Sequence, residues 1–228
     1  METTSDTSGQ GHAHSAKGRL YPAFLSLEGK VCVVVGGGHV AVRKVRALLT
    51  TGAHITVVSP VLHGELQALF SESLVSHIPS EYAVEHLAGA RIVFAATNNP
   101  EVNQQIVQDA HERGLWINVA DNPDVSDFYV PATIHRKDLT LAISTEGGSP
   151  AFARYVRTLL EQALSEALGQ TLEMIAQARP LILAEPKAKQ THLWESLLAL
   201  HLETVIETEG YPAARNCFEA WLAQHIGQ

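Results

Sequence analysis

From Tyr21 onward, short continuous apolar runs alternate with stretches in which apolar residues recur every three or four positions. The runs at 31–35 (VCVVV), 55–58 (ITVV), 91–95 (RIVFA) and 115–119 (LWINV) do not alternate with polar residues, which marks strands buried on both faces. Residues 39–50, 61–70 and 100–112 carry the helical period between them, and Gly52 and Gly114 stand where helix C-caps belong. Strand alternating with helix predicts an α/β fold with a doubly wound parallel sheet and right-handed crossovers. Residues 75–78 fit one short additional strand.

After residue 128 the pattern changes. "YVPATIHRKDLTLAIST" has two strand-like runs around a polar turn at 136–138, which predicts an antiparallel hairpin. Ser149 and Pro150 supply an N-cap and a first-turn proline for a helix expected to run to about Leu168 and to stop at Gly169. Two more helices are expected near 191–208 and 212–226. Their apolar stripes, Trp194, Leu198, Leu202 and Val205 in one and Ala214, Phe218, Trp221 and Leu222 in the other, are core positions. The expected organisation is a disordered tail at 1–18, a sheet domain at 19–120, a hairpin and helix region at 121–168, and a small C-terminal helical domain at 169–228.

Composition narrows the function. At 228 residues and 46% hydrophobic content the chain can bury a core, and its net charge of −8 excludes a nucleic-acid binder. No apolar run is long enough to span a membrane and no signal-peptide core is visible, so a cytoplasmic protein is expected. Cys32 and Cys217 have no metal-ligand spacing and fit buried small side chains. His12 and His14 form an H-x-H pair in the tail with no purposeful metal role expected, and no Cys/His cluster predicts a metal site. The charge is uneven: nine Glu against four Lys and Arg lie in 161–228, whereas Arg136, Lys137, Arg154 and Arg157 leave 130–160 locally basic.

The candidate chemistry begins at "VVVGGGHVAVRK". Gly36, Gly38 and Ala41 satisfy G-x-G-x-x-A between a predicted strand and a predicted helix, the context of a Rossmann-type dinucleotide loop. The first glycine turns the chain, the second admits a pyrophosphate to the backbone, and Ala41 permits close packing; the helix start faces its amides to the anion. Gly37, His39 and Val40 belong to the same loop, with His39 read as a solvent-edge side chain. The acid that commonly holds the adenosine ribose at the end of the second strand is missing, for Ser59 and Pro60 stand there. No arginine follows to greet a 2′-phosphate either, so NAD is preferred to NADP. Thr97 and Asn98, after a later strand, stand where a nicotinamide half would lie.

Taken together, "VVVGGGHVAVRK", "FAATNNPEVN", "INVADNPDVSDFYVPA" and "AISTEGGSPAFARYVR" resemble the precorrin-2 dehydrogenase family, which includes the dehydrogenase/ferrochelatase part of siroheme synthase. The resemblance covers residues 20–168. It implies a Rossmann domain with NAD as cofactor, a homodimer built around the hairpin, a small helical end, and oxidation of precorrin-2 to sirohydrochlorin. Some members also insert ferrous iron, which would then be a co-substrate.

The family's catalytic aspartate maps onto Asp121 in "NVAD", and Asn118 of that string is placed with the substrate-binding residues. Apart from the family, Asp121 stands just beyond a strand end on the ligand side of the sheet, where a carboxylate could take a proton as hydride leaves. The alternative is that Asp121 orders the turn at Asn122 and Pro123; turn or capping roles suit Asp124 and Asp127. Thr145, Gly147, Gly148 and Ser149 correspond to the family's serine- and glycine-rich loop, in which Glu146 replaces a glycine. Arg154 and Arg157 are candidates for the substrate's carboxylates. Asp121 and His135 are the candidates for assisting metal insertion. A regulatory NAD-binding module is the rival from a different class, and a chelatase that has lost dehydrogenation is a third.

Overall fold

A computed structural model describes residues 19–226. The expected tail at 1–18, with His12 and His14, lies outside the described residues. The chain divides into two compact units, one ending at Tyr129 and the other beginning at Val130.

The first unit is built on five parallel strands: β1 (Val31–Val35), β2 (His54–Val58), β3 (Ser76–Ile78), β4 (Ala90–Ala95) and β5 (Trp116–Val119), in the order β3-β2-β1-β4-β5. The order reverses at β1, so a crevice opens between β1 and β4 at the C-terminal ends of the strands. Helices α1 (His39–Leu49), α2 (Gly64–Ser71) and α3 (Pro100–Glu112) join the strands. Continuous apolar strands follow from coverage on both faces. Cys32, Val34, Ile55 and Phe94 pack with Ala41, Val42 and Val45 of α1, while Val33, Val35, Val93 and Ile117 pack with Ile106 and Ala110 of α3.

The helix expected from residue 61 starts at Gly64. Residues 60–62 serve instead as a turn, and the His63 ring accepts the Glu65 amide at 3.3 Å as N-cap. Gly52 and Gly114 have the expected left-handed φ of 72° and 65° after α1 and α3.

The second unit contains the hairpin, β6 (Ala132–Arg136) paired antiparallel with β7 (Leu139–Ile143), and α4 (Pro150–Ala163), α5 (Ala167–Ala184), α6 (Lys187–Leu198), α7 (Leu202–Glu209) and α8 (Tyr211–His225). Ser149 caps α4 by accepting the Phe152 amide at 3.1 Å. At the other end of α4, Arg136 donates to the carbonyls of Leu164 (2.8 Å) and Glu161 (3.0 Å), satisfying acceptors that a helix end leaves unpaired.

Gly169 does not end α4. It sits in the first turn of α5 against the hairpin, where a Cβ would overlap the Arg136 carbonyl. Helix α5 occupies a stretch in which the sequence pattern marks no helix. It contains Pro180, whose missing amide breaks the usual pattern, and it holds through the buried Met174, Ala178 and Ile182.

The single helix expected at 191–208 is two, interrupted at His201 with φ 47°. This break turns Leu198 to solvent and leaves Leu193 and Leu197 in the core with Leu202, Ala214, Phe218 and Trp221. Cys32 is buried as expected, whereas Cys217, on the outward face of α8, is exposed.

Helix α4 keeps an uncovered apolar face. Phe152, Tyr155 and Leu159 recur at helical spacing and are 56%, 58% and 47% exposed.

Candidate active site

The three adjacent glycines have three different reasons. Gly36 adopts φ 122°, and a Cβ there would overlap the Ala96 carbonyl. At Gly37 a Cβ would overlap the Val61 carbonyl oxygen and come within 2.6 Å of Ser59 Oγ. Both are therefore demanded by the protein's own packing. Gly38 has an ordinary φ of −90°, and a Cβ there meets nothing within 4 Å. Its bareness serves open space beside the backbone, which a pyrophosphate fits.

Helix α1 begins at this point with no side-chain cap, whereas α2, α3 and α4 are capped by His63, Asn99 and Ser149. The first amide of the turn to find a helical partner is that of Val42, on the Gly38 carbonyl. The amides ahead of it are oriented donors for an anion. Ala41 is fully buried beneath them.

The loop opens on a cleft of about 930 Å³. Gly36, Gly37, Gly38, His39, Val40, Ser59, Thr97 and Asn98 all line it, so the residues expected to hold a cofactor come together around one cavity. They divide by what remains available. Ser59 Oγ donates to the Val61 carbonyl at 2.8 Å, and Thr97 Oγ1 donates to Asn103 Oδ1 at 2.7 Å, so both shape the rim. The Gly38 backbone, His39 and Asn98 face the space. The His39 and His63 rings lie 4.2 Å apart at the loop.

Asp121 follows β5 and has φ 60°, a left-handed conformation that Asp and Asn adopt more readily than most residues. The turn it precedes is ordered by others. Ser126 Oγ accepts the Val119 amide at 2.9 Å and donates to the Asn122 carbonyl at 2.9 Å. Asp127 accepts the Ile117 amide at 2.9 Å and lies 3.1 Å from the His111 ring. The Asp121 carboxylate has no hydrogen bond among the described residues, so turn-building does not occupy it. Asp127 therefore caps no helix; it ties its loop to the edge of β5 and to α3.

Lys44, which in sequence is only one of three basic residues with Arg43 and Arg46 in the acid-free stretch 37–50, stands behind this strand. Lys44 of α1 donates from Nζ to Asn118 Oδ1 at 2.8 Å and lies 5.5 Å from the Phe94 ring centroid. Asn118 Nδ2 in turn donates to the Phe128 carbonyl at 2.9 Å. Asn118 is buried, and both ends of its amide are engaged within the unit. Burial pushes the Lys44 ammonium down to about 8, with Arg43 adding to the effect and the Asp121 charge opposing it. The signal for this link is an α1 lysine that feels the candidate base 77 positions away along the chain.

The remaining expected residues lie in the second unit. Thr145 clasps its loop: its carbonyl accepts the Gly148 amide at 2.8 Å and its Oγ1 the Ser149 amide at 3.1 Å. Glu146 and Gly147 have φ 52° and 83°, so the glutamate occupies a backbone position that glycine fills without strain. Arg154 is exposed on α4, and Arg157 makes a loose 3.9 Å pair with Glu161. Arg136 and Lys137, counted among the basic positions, are committed to the α4 carboxyl end and to Glu173 (2.6 Å). His135 Nδ1 lies 3.0 Å from Thr140 Oγ1. Among the described residues no three of His, Cys, Asp and Glu gather closely enough to hold a metal ion, and no helix is long and apolar enough to cross a membrane.

Comparison with known proteins agrees with this arrangement. A family model described as NAD(P)-binding matches residues 23–132, and one described as the sirohaem biosynthesis protein central region matches 136–163. Siroheme synthase of Tolumonas auensis is 36% identical over 210 residues, covering 90% of this chain and 43% of the relative. Siroheme synthase 1 of Aeromonas salmonicida is 39% identical over 180 residues, 78% and 38% of the two chains. The chain thus spans less than half the length of these curated relatives. Among solved structures, SirC, a precorrin-2 dehydrogenase, superposes with a TM-score of 0.70 at 26% identity, covering 90% of this chain and 98% of its own. With an NAD(P)-binding match followed by the sirohaem-biosynthesis central match in that order, the chain is similar to a precorrin-2 dehydrogenase over nearly its whole length and to part of the siroheme synthases.

Proposed function

We propose that this chain oxidises precorrin-2 to sirohydrochlorin with NAD as hydride acceptor. The observation that carries this is the glycine loop: two glycines are required by packing, and the third leaves a bare backbone and an uncapped helix start facing the cleft. The cofactor, when bound, supplies the electron-pair acceptor. The α1 amides hold the pyrophosphate and Asn98 faces the nicotinamide half. Asp121 takes the proton that the macrocycle releases as its hydride departs, so the two hydrogens lost leave as NADH and a proton. Lys44 and Asn118 fix the strand end from which Asp121 projects.

In the second unit, the loop formed by Thr145, Gly147, Gly148 and Ser149, with Arg154 and Arg157, meets the carboxylates of the substrate. The exposed face of Phe152, Tyr155 and Leu159 packs on a second copy, giving a homodimer. Ferrous iron enters as a co-substrate after oxidation, with Asp121 receiving pyrrole protons.

The test is anaerobic. Purified protein, enzymatically made precorrin-2 and NAD are mixed while the visible spectrum and NADH absorbance are followed together. Equimolar NADH and sirohydrochlorin support the proposal; NAD binding without spectral change would favour a regulatory module instead. Ferrous ion added afterwards supports iron insertion if the siroheme spectrum appears faster than in a protein-free control, and removes it if the rates are equal.

A further inference from the structure

The cleft has one feature at odds with an anionic ligand. Among the described residues that line it, Glu81 is the only Asp, Glu, Lys or Arg. A carboxylate repels phosphates, so its presence needs a partner of another kind.

Its position supplies one. Strand β3 pairs in parallel with β2, and the Ser59 amide donates to the Ile78 carbonyl, so the turn after β3 opens beside the end of β2. That turn is tied down on either side of Glu81. Ser80 Oγ donates to the Glu81 carbonyl at 3.1 Å, and the His86 ring accepts the Ala83 amide at 3.0 Å. The Tyr82 hydroxyl donates to the buried Asp109 at 2.8 Å, whose other oxygen accepts from Gln105 at 2.9 Å. The Glu81 side chain alone in this stretch is left exposed at the cleft with no hydrogen bond or ion pair among the described residues.

The glycine loop follows β1, and Thr97 and Asn98 follow β4 on one side of it. Glu81 lies on the other side, over β2 and β3. A dinucleotide whose pyrophosphate sits at α1 and whose nicotinamide points toward β4 lays its adenosine toward β2 and β3. That is the region where the usual acid is absent, since Ser59 has spent its hydrogen on Val61.

We propose that Glu81, presented from the turn after β3, is the carboxylate that accepts hydrogen bonds from the adenosine ribose hydroxyls, and that it selects NAD against NADP. The proposal rests on the dinucleotide reading above. A 2′-phosphate would remove one of the hydroxyls and set its charge against the carboxylate.

Calorimetric titration of the full chain with NAD, NADP and NAD lacking the adenosine 2′-hydroxyl tests it. Wild type should bind NAD in preference to both analogues. Glu81→Gln should weaken NAD roughly ten- to a hundredfold, the worth of hydrogen bonds to a charged group, and lose most of the preference over NADP. With the 2′-deoxy analogue, which keeps only the 3′-hydroxyl as donor, the two proteins should differ less than they do with NAD. Unchanged affinities and unchanged preference in Glu81→Gln, while wild type binds NAD, would overturn the assignment and leave the dehydrogenase reading standing. If wild type bound neither nucleotide, that reading would fall and Glu81 with it.

Discussion

Replacing the three glycines of the loop one at a time should separate folding from ligand binding within three consecutive residues. Gly36→Ala forces a side chain into φ 122° and against the Ala96 carbonyl. Backbone strain of about 1–3 kcal/mol and overpacking of a similar size combine to a loss on the order of 3 kcal/mol or more. Gly37→Ala meets the Val61 carbonyl and Ser59 Oγ from an unstrained backbone, so overpacking acts alone, at about 1–3 kcal/mol. Gly38→Val has neither problem, and its stability should stay within about 1 kcal/mol of wild type. The added side chain projects into the open space instead and keeps a pyrophosphate off the α1 amides. Urea unfolding and NAD titration on the same preparations give both coordinates. Expected is a near-wild-type unfolding curve with NAD binding lost for Gly38→Val, and a shifted curve for the other two. Gly38→Val that binds NAD like wild type, or that unfolds as early as Gly36→Ala, would refute the division of roles.

Other outcomes follow from the same geometry. Asp121→Asn keeps a residue type that tolerates φ 60° and should retain fold and NAD affinity while losing most turnover; wild-type rates in the anaerobic assay would remove Asp121 from the mechanism. Lys44 bears a charge that its surroundings disfavour, since its pKa falls from 10.5 to about 8, so the folded state holds this proton less well than the unfolded state does. The penalty is present in full below pH 8 and disappears as pH rises to 10.5. Wild type should therefore gain stability relative to Lys44→Met across that window, on the order of 2 kcal/mol once partial solvation is discounted; a pH-independent difference in urea unfolding would contradict it. Phe152→Asp combined with Leu159→Asp places charges on the exposed α4 face, and sedimentation should report a monomer where wild type is a dimer, with the unfolding curve little changed.

How much could be seen in the chain itself depended on how local the cause was. The buried strands were legible because coverage on both faces leaves continuous apolar runs, and the loop was legible because its glycines lie between a strand and a helix. The end of α4 at Ala163 is not legible because Gly169 looks like a stop. Its bareness serves a neighbour 33 positions earlier, the Arg136 carbonyl, which no local pattern reports. Helix α5 was hidden by Pro180, and the stripe through Leu198 was broken by a left-handed His201. The glycine loop and the strand-end residues that line the cleft can be named from the chain itself, whereas the contact of Lys44 with Asn118 and the place of Glu81 on the rim cannot. Each matters through a partner or a rim brought near by the topology, and neither differs in sequence from an ordinary surface charge.

The abutment of Gly169 on the hairpin has a consequence for exchanging parts between relatives. The sirohaem-biosynthesis match ends at residue 163, and a splice at that point would look natural. It would nonetheless divorce the strand turn from the helix backbone built to lie flush against it, and of the two carbonyls that Arg136 clasps it would replace the one at position 164. Chimeras should instead cross over between Tyr129 and Val130, where the chain leaves one unit for the other, so that hairpin and terminal helices travel as a single inheritance.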